Sequence, residues 1–266
     1  MNMRSLTERL RIAVLGGKGM LGSDLVRFLG EKHKTIAIGR TNYERNRNKK
    51  FDVLINANGN SRRFWANKHP YEDFEASTAS VAKSLFDFRY KKYIYISSPD
   101  VYEDPSGPET TLENSPGGID KLLPYGFHKR LSEELVKHYA SGFIILRSAA
   151  LLGSSLKKGV VYDILHGNQL FVTSDSKMQF ITTQALAGII ETLLFRNIGC
   201  EVFNVGGRGA VAPEHISAVA GGKPRFHKNT EKQIYEMNIK KITALYGKLK
   251  TSEEYIRTFV EELGIK

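Results

Sequence analysis

A short apolar run, Arg11-Ile12-Ala13-Val14-Leu15, stops at Gly16-Gly17-Lys18-Gly19-Met20-Leu21-Gly22, and an amphipathic stretch follows from Ser23 to Leu29. This order predicts a strand, a glycine turn and a helix. Further strands are expected at Thr35-Ile36-Ala37-Ile38 and Val202–Val205, with a helix over Thr183–Phe195. Between Tyr71 and Phe88 the apolar residues Phe74, Val81, Leu85 and Phe88 recur at a spacing compatible with one packed helical face. Near the end, helices are expected at Tyr235–Tyr246 and Ser252–Leu263, and Gly221-Gly222-Lys223-Pro224 marks a turn. No internal repeat or low-complexity tract interrupts the pattern.

Composition narrows the class without naming a function. The 266 residues are 41% hydrophobic and 25% charged, as in an ordinary soluble globular protein with one large core, or one core and a small lobe. No apolar run approaches bilayer length. The start, Met1-Asn2-Met3-Arg4-Ser5-Leu6-Thr7-Glu8-Arg9, enters the first strand without a signal-like apolar stretch. The single Cys200 forbids an internal disulfide and is expected to be buried or half-buried beside the Val202 strand. A reducing cytoplasm follows as the expected compartment. The seven histidines are scattered without ligand spacing, so no metal is implied. A net charge of +11 raises nucleic acid as a partner, yet no helix carries a continuous Lys/Arg stripe or basic patch interleaved with aromatics. Nucleic-acid binding is therefore not expected; small polyanions satisfy the same charge.

Two constellations carry chemistry. In Pro124-Tyr125-Gly126-Phe127-His128-Lys129, Tyr125 and Lys129 stand one helical turn apart and share a face. A free tyrosine ionises near pH 10, and a fixed cation beside it lowers that value, so the couple can exchange a proton with a carbonyl or alcohol. The same spacing also arises by chance on helices. His128 points away from both and is read as surface or packing. In the glycine turn, Gly16 allows the tight bend, Gly19 lets backbone approach a pyrophosphate, and Gly22 lets the helix pack close. The helix start at Met20 and Leu21 then faces the anion. Lys18 is followed by Gly19, which excludes a Walker-type loop.

In this order the features resemble the extended short-chain dehydrogenase/reductase family, and within it the NAD(P)-dependent nucleotide-sugar epimerases, dehydratases and reductases. The likeness runs nearly end to end. Phe51-Asp52-Val53-Leu54-Ile55-Asn56-Ala57-Asn58-Gly59 is similar to the strand whose end lines the cofactor, and Tyr93-Ile94-Tyr95-Ile96-Ser97-Ser98-Pro99-Asp100-Val101-Tyr102 to the segment carrying the catalytic hydroxyl. Ile144–Arg147, Phe180–Thr183 and Val202–Gly206 match later landmarks. The resemblance implies catalysis by Tyr125, Lys129 and Ser98. Ser97 is the alternative hydroxyl, because alternation along a strand sends the two to opposite faces. It places the cofactor against Gly16, Gly19, Met20, Leu21, Gly22, Arg40, Asn56, Ala57, Asn58, Ser97, Tyr125 and Lys129.

The same resemblance implies an α/β Rossmann-like, doubly wound parallel sheet with a small C-terminal substrate lobe. Residues 1–150, completed by 183–206, form the dinucleotide-binding body; 151–182 and 207–266 form the lobe. The interval between the second strand and Val53 is too short for the family's usual third strand unit, which is expected to be shortened or lost. Gly39-Arg40 stands where an NAD enzyme usually carries a carboxylate, so NADP is expected, with NAD the second choice. Pro99 occupies the place of a dehydratase acid, which favours a ketoreductase or epimerase. Ala150 stands where a phosphate-binding Asn is usual; Lys157, Lys158, Gln179 and Arg208 are substitutes, though a solvated Lys157-Lys158 pair is the plainer reading. The expected substrate is an anionic nucleotide-sugar and the expected assembly a homodimer. A non-catalytic NADP(H) sensor and an RNA-binding member remain alternatives.

Overall fold

The protein is described by a computed structural model covering residues 9–264, so the reading of the first eight residues lies outside the described part. The body strands are β1 (Arg11–Leu15), β2 (Lys34–Ile38), β3 (Lys50–Asn56), β4 (Arg89–Ser97) and β5 (Phe143–Ser148). Four short lobe strands follow, β6 (Ala150–Leu152), β7 (Gln169–Leu170), β8 (Lys177–Met178) and β9 (Phe180–Thr182), before the chain returns to the body as β10 (Glu201–Val205). The body forms a six-stranded, wholly parallel sheet in the order β10-β5-β4-β3-β1-β2.

Strands of such a sheet are buried on both faces, and here alternate residues feed two cores. Ile12, Val14, Ile55, Ile94 and Leu146 join the core beneath helices α1 (Met20–Gly30) and, later in the chain, the helix over Thr183–Phe195. Ala13, Leu15, Leu54, Tyr93 and Ile145 join the other core. The expected trimming is present: between β2 and β3 lie only two 3-10 turns, Arg40–Asn42 and Glu44–Asn46, and β2 is the sheet edge.

After α2 (Arg63–Lys68), the expected helix over residues 71–88 runs as α3 (Pro70–Phe74), a π-turn (Glu75–Ala79) and α4 (Ser80–Asp87). Val81, Leu85 and Phe88 are buried as expected, but Phe74 is 37% exposed. Asp73, Ser77, Val81 and Leu85 face inward instead. Their steps of four overrun a helical turn of about 3.6 residues, and the wide π-turn absorbs the overrun. Helix α5 (Pro124–Tyr139) packs beside α4.

The lobe is built by parallel pairing of chain segments far apart in sequence. Strand β6 pairs with β9, β7 with β11 (Arg225–Phe226), and β8 with β12 (Ile234–Tyr235). Its helices are α6 (Val160–Leu165), α8 (Pro213–Ala220), α9 (Lys240–Leu245) and α10 (Ser252–Glu262), while α7 (Thr183–Phe195) belongs to the body. The helix expected over Tyr235–Tyr246 therefore begins only at Lys240. Gln179 claims the preceding backbone: its N–H donates to the Tyr235 carbonyl at 3.1 Å, and its Oε1 accepts from the Met237 N–H at 2.8 Å. Cys200 is exposed, a correction to the buried or half-buried position expected; it sits in the turn before β10, ahead of the strand's buried part. Among the described residues no helix is long and apolar enough to cross a membrane.

Candidate active site

The carboxyl ends of β1, β3 and β4 converge on one cleft. Gly16 has φ +73°, and a Cβ there would lie 2.9 Å from the Ala57 carbonyl oxygen. A Cβ on Gly22 would overlap the Gly16 carbonyl, so only glycine lets α1 start this close to the loop. The N-cap, Gly19, offers no capping side chain, and the first turn holds no acid. An uncapped helix start with a glycine cradle fits the diphosphate of a dinucleotide. Met20 and Leu21 supply backbone N–H groups at that start.

At the edge beyond β2, the Asn42 side chain fixes the turn, accepting from the Gly39 N–H at 2.8 Å and donating to the Ala37 carbonyl at 2.9 Å. Arg40 follows, exposed. Lys18 reaches this corner too: its Cγ and Cδ lie within 4.0 Å of where a Gly39 Cβ would stand. Its place beside Gly39 had no sequence signal, because it arrives from the glycine loop.

Asn56 is fully buried and its amide is engaged inward, donating to Tyr93 Oη at 2.7 Å and Ser84 Oγ at 3.2 Å while accepting from the Asn58 N–H at 2.9 Å. It shapes the turn that lays Ala57 and Asn58 against Gly16.

The candidate reacting groups come from the end of β4 and from α5. Gly126 lets α5 dock on the turn after β4, since a Cβ there would overlap the Asp100 carbonyl. That approach brings the buried Tyr125 phenol near Ser98, whose hydroxyl acts to lower it. The Tyr125 N–H, unsatisfied within its own helix, is accepted by Asn67 Oδ1 at 3.0 Å. One turn on, Lys129 Nζ donates to the Ile96 carbonyl at 3.1 Å and lies 3.8 Å from where a Gly59 Cβ would stand. Ser98, Tyr125 and Lys129 thus meet at the cleft. Ser97 faces the other way and donates to Glu133 at 2.6 Å, next to the fully buried Glu133–Arg147 pair at 2.7 Å. His128 packs as expected, its Nδ1 2.8 Å from Asp73 Oδ2.

Asp100 organises this corner. Its Oδ2 accepts from Ser98 Oγ at 2.8 Å; its Oδ1 accepts from Tyr235 Oη at 2.8 Å and from Arg63 Nη1 at 3.2 Å. Arg63 also contacts Tyr235 Oη and donates from Nη2 to Gln233 Oε1 at 2.6 Å. Arg63, Gln233 and Tyr235 escaped the sequence reading because they meet only through tertiary structure. Burial raises the Asp100 carboxyl, opposed by Arg63. Burial pushes the Tyr125 phenol well above its ordinary value, and the Asp100 charge adds to this. The cation that lowers it is Arg63, not Lys129 as expected, and desolvation outweighs it. Burial also brings Lys129 down to about 8, against the pull of Asp73, Glu133 and Asp100.

Of the residues considered for holding substrate phosphate, Gln179 is 2% exposed and occupied by Met237. Arg208 lies in the exposed segment bridged to Thr251, and Lys158 donates to the Ser61 carbonyl.

The fold defines a doubly wound α/β protein with a glycine turn and an uncapped helix start in its first crossover. The sequence pattern of the NAD dependent epimerase/dehydratase family matches residues 12–206, and the chain belongs to that family. No curated relative matches it by sequence. Among solved structures it is similar to a UDP-galactose 4-epimerase, at 20% identity, TM-score 0.77, covering 96% of this chain and 98% of that one. It is also similar to dTDP-4-dehydrorhamnose reductase from Bacillus anthracis in complex with NADP, at 16% identity, TM-score 0.77, covering 97% and 100%. A third is UDP-glucuronic acid 4-epimerase from Bacillus cereus with UDP-glucuronic acid and NAD, at 17% identity, TM-score 0.73, covering 95% and 99%.

Proposed function

We propose that the chain is an NAD(P)-dependent oxidoreductase or epimerase acting on a sugar, most simply a nucleotide-diphosphate sugar, with NADP preferred. The observation that carries this is that Lys129, bonded to the Ile96 carbonyl beside Gly59, and Ser98, bonded to Asp100, stand with the buried Tyr125 phenol past the carboxyl ends of β3 and β4. A bound nicotinamide supplies the hydride chemistry. Tyr125 exchanges the proton with the substrate oxygen, Ser98 hydrogen-bonds that oxygen, and Lys129 presents a cation beside them. Burial keeps Tyr125 in its protonated form. Asp100 meets three donors, so its carboxylate is not free to act as an eliminating base, and Pro99 offers none. This supports a ketoreductase or epimerase over a dehydratase. Lys18 and Arg40 at the end of β2, where no carboxylate stands, support NADP. The exposed Phe86 and Tyr139, 4.9 Å apart on the outer side of α4 and α5, support a homodimer through those helices.

The test offers UDP- and dTDP-linked keto- and hydroxy-sugars with reduced and oxidised cofactor, following nicotinamide absorbance and sugar identity. Tyr125→Phe is expected to lower turnover by about 10²–10⁴-fold. Unchanged turnover in that variant removes the assigned acid. Tight NADPH binding with no turnover across the panel points to the sensor.

A further inference from the structure

The segment between Gly153 and Gly159 crosses the cleft and is fastened at both ends. At its root, a Cβ on Gly153 would lie 2.7 Å from Asp24 Oδ2 and 3.1 Å from Met20 Cγ, both in the first turns of α1. The Ser154 N–H donates to Asp24 Oδ2 at 3.1 Å and its hydroxyl to Oδ1 at 2.7 Å. At its far end, Lys158 Nζ donates to the carbonyl of Ser61. Ser61 lies just past Gly59, which backs on Lys129. The strap therefore runs from the start of α1 to the loop after β3, over the ground between the glycine cradle and the catalytic lysine.

Lys158 gives a bond to the Ser61 carbonyl there, and a second donor nearby lacks an acceptor. The buried Asn60 Nδ2 has no hydrogen-bond partner among the described residues. Arg62 stands beside Lys158, and the charged group acting on Lys158 is this cation, with no acid among its influences. Lys158 is exposed, and partial burial with Arg62 brings it down to about 8.

We propose that Lys158 and Asn60 form a latch that closes over the diphosphate of the bound dinucleotide, with the Lys158 ammonium exchanging the Ser61 carbonyl for a phosphate oxygen. The proposal rests on the cofactor reading above and deepens it. It gives a role to a loop whose lysine pair the sequence leaves as mere solvated charge. It also offsets the trimmed adenosine side of the sheet by adding a hold on the diphosphate.

The single tryptophan, Trp65, sits on α2 two residues beyond Arg63 and reports on this loop. Titrating NADPH, NADH and UDP against its fluorescence, with calorimetry alongside, tests the latch in the parent, Lys158→Met, Lys158→Arg and Asn60→Asp. One charge-assisted hydrogen bond lost predicts that Lys158→Met weakens both dinucleotides about tenfold or more while UDP moves less than about twofold. Lys158→Arg should retain most of the affinity, and Asn60→Asp should lose it by placing a negative charge against phosphate. Parent-like dinucleotide affinity in a folded Lys158→Met overturns the latch and leaves the cofactor reading standing. Loss of UDP affinity with NADPH retained overturns it by moving the strap to the substrate. Failure of the parent to bind either dinucleotide overturns the cofactor reading itself.

Discussion

Replacing Lys129 with Met should make the protein more stable near neutrality while removing its activity. Lys129 is 6% exposed, and burial lowers it from 10.5 to about 8. Folding therefore disfavours its charged form. The penalty is fully present below about pH 8 and is relieved as pH rises toward the unfolded value, because the unfolded chain binds the proton that the native one has released. At about 1.4 kcal/mol per pH unit, the gap corresponds to about 3 kcal/mol. A methionine fills similar volume without charge, and it forfeits the bond to the Ile96 carbonyl, worth about 1 kcal/mol as a neutral bond. The variant should then exceed the parent by about 2 kcal/mol near pH 7 and fall level or below by about pH 10. Urea unfolding of both proteins across that range measures the difference directly. Parallel stability curves would refute the argument, since they would mean that Lys129 carries no folding-linked proton. A penalty tolerated at one side chain is what a functional cation in an apolar site requires.

Three other changes probe separate parts of the site and its supports. Glu133→Gln strips the partner from Arg147, both fully buried, and should lower unfolding stability by about 3–5 kcal/mol in denaturant titrations, with Ser98 chemistry affected only indirectly. Gly22→Ala forces a methyl onto the Gly16 carbonyl; calorimetry should show loss of dinucleotide binding and a destabilisation of about 1–3 kcal/mol. Arg40→Ala should reduce NADPH affinity about tenfold and leave NADH nearly unchanged, and equal loss of both would remove Arg40 from the 2′-phosphate.

The body of the fold was legible because its signals are local. The apolar run before Gly16 is β1 at the expected residues, the helix expected over Thr183–Phe195 is α7 residue for residue, and the missing third unit shows as sheer want of chain between β2 and β3. Period also separated Ser98 from Ser97, since neighbouring residues face opposite sides and Ser97 turns to Glu133 while Ser98 turns to Asp100. Local spacing failed where distant chain intervenes. Tyr235 has helix-compatible neighbours, yet β8 and Gln179 draw it into a strand. Phe74 fits an ideal apolar stripe, but a π-turn that accommodates Asp73 against His128 rotates it out. The contacts of Asp100 with Arg63 and Tyr235 span 37 and 135 residues, which no window along the chain detects.

Those long contacts also explain why the catalytic corner behaves differently from an isolated Tyr/Lys pair. Tyr235 and Gln233 belong to the lobe, and they fasten Arg63 and Asp100 of the body. Asp100 in turn accepts from the Ser98 hydroxyl. Contacts from distant chain thereby fix the Ser98 hydroxyl near the phenol. Lys129, brought down to about 8, still carries its proton near pH 7, while desolvation keeps the phenol protonated. Burial holds the site in a proton-donating state, and the charges around it decide how readily that state is given up.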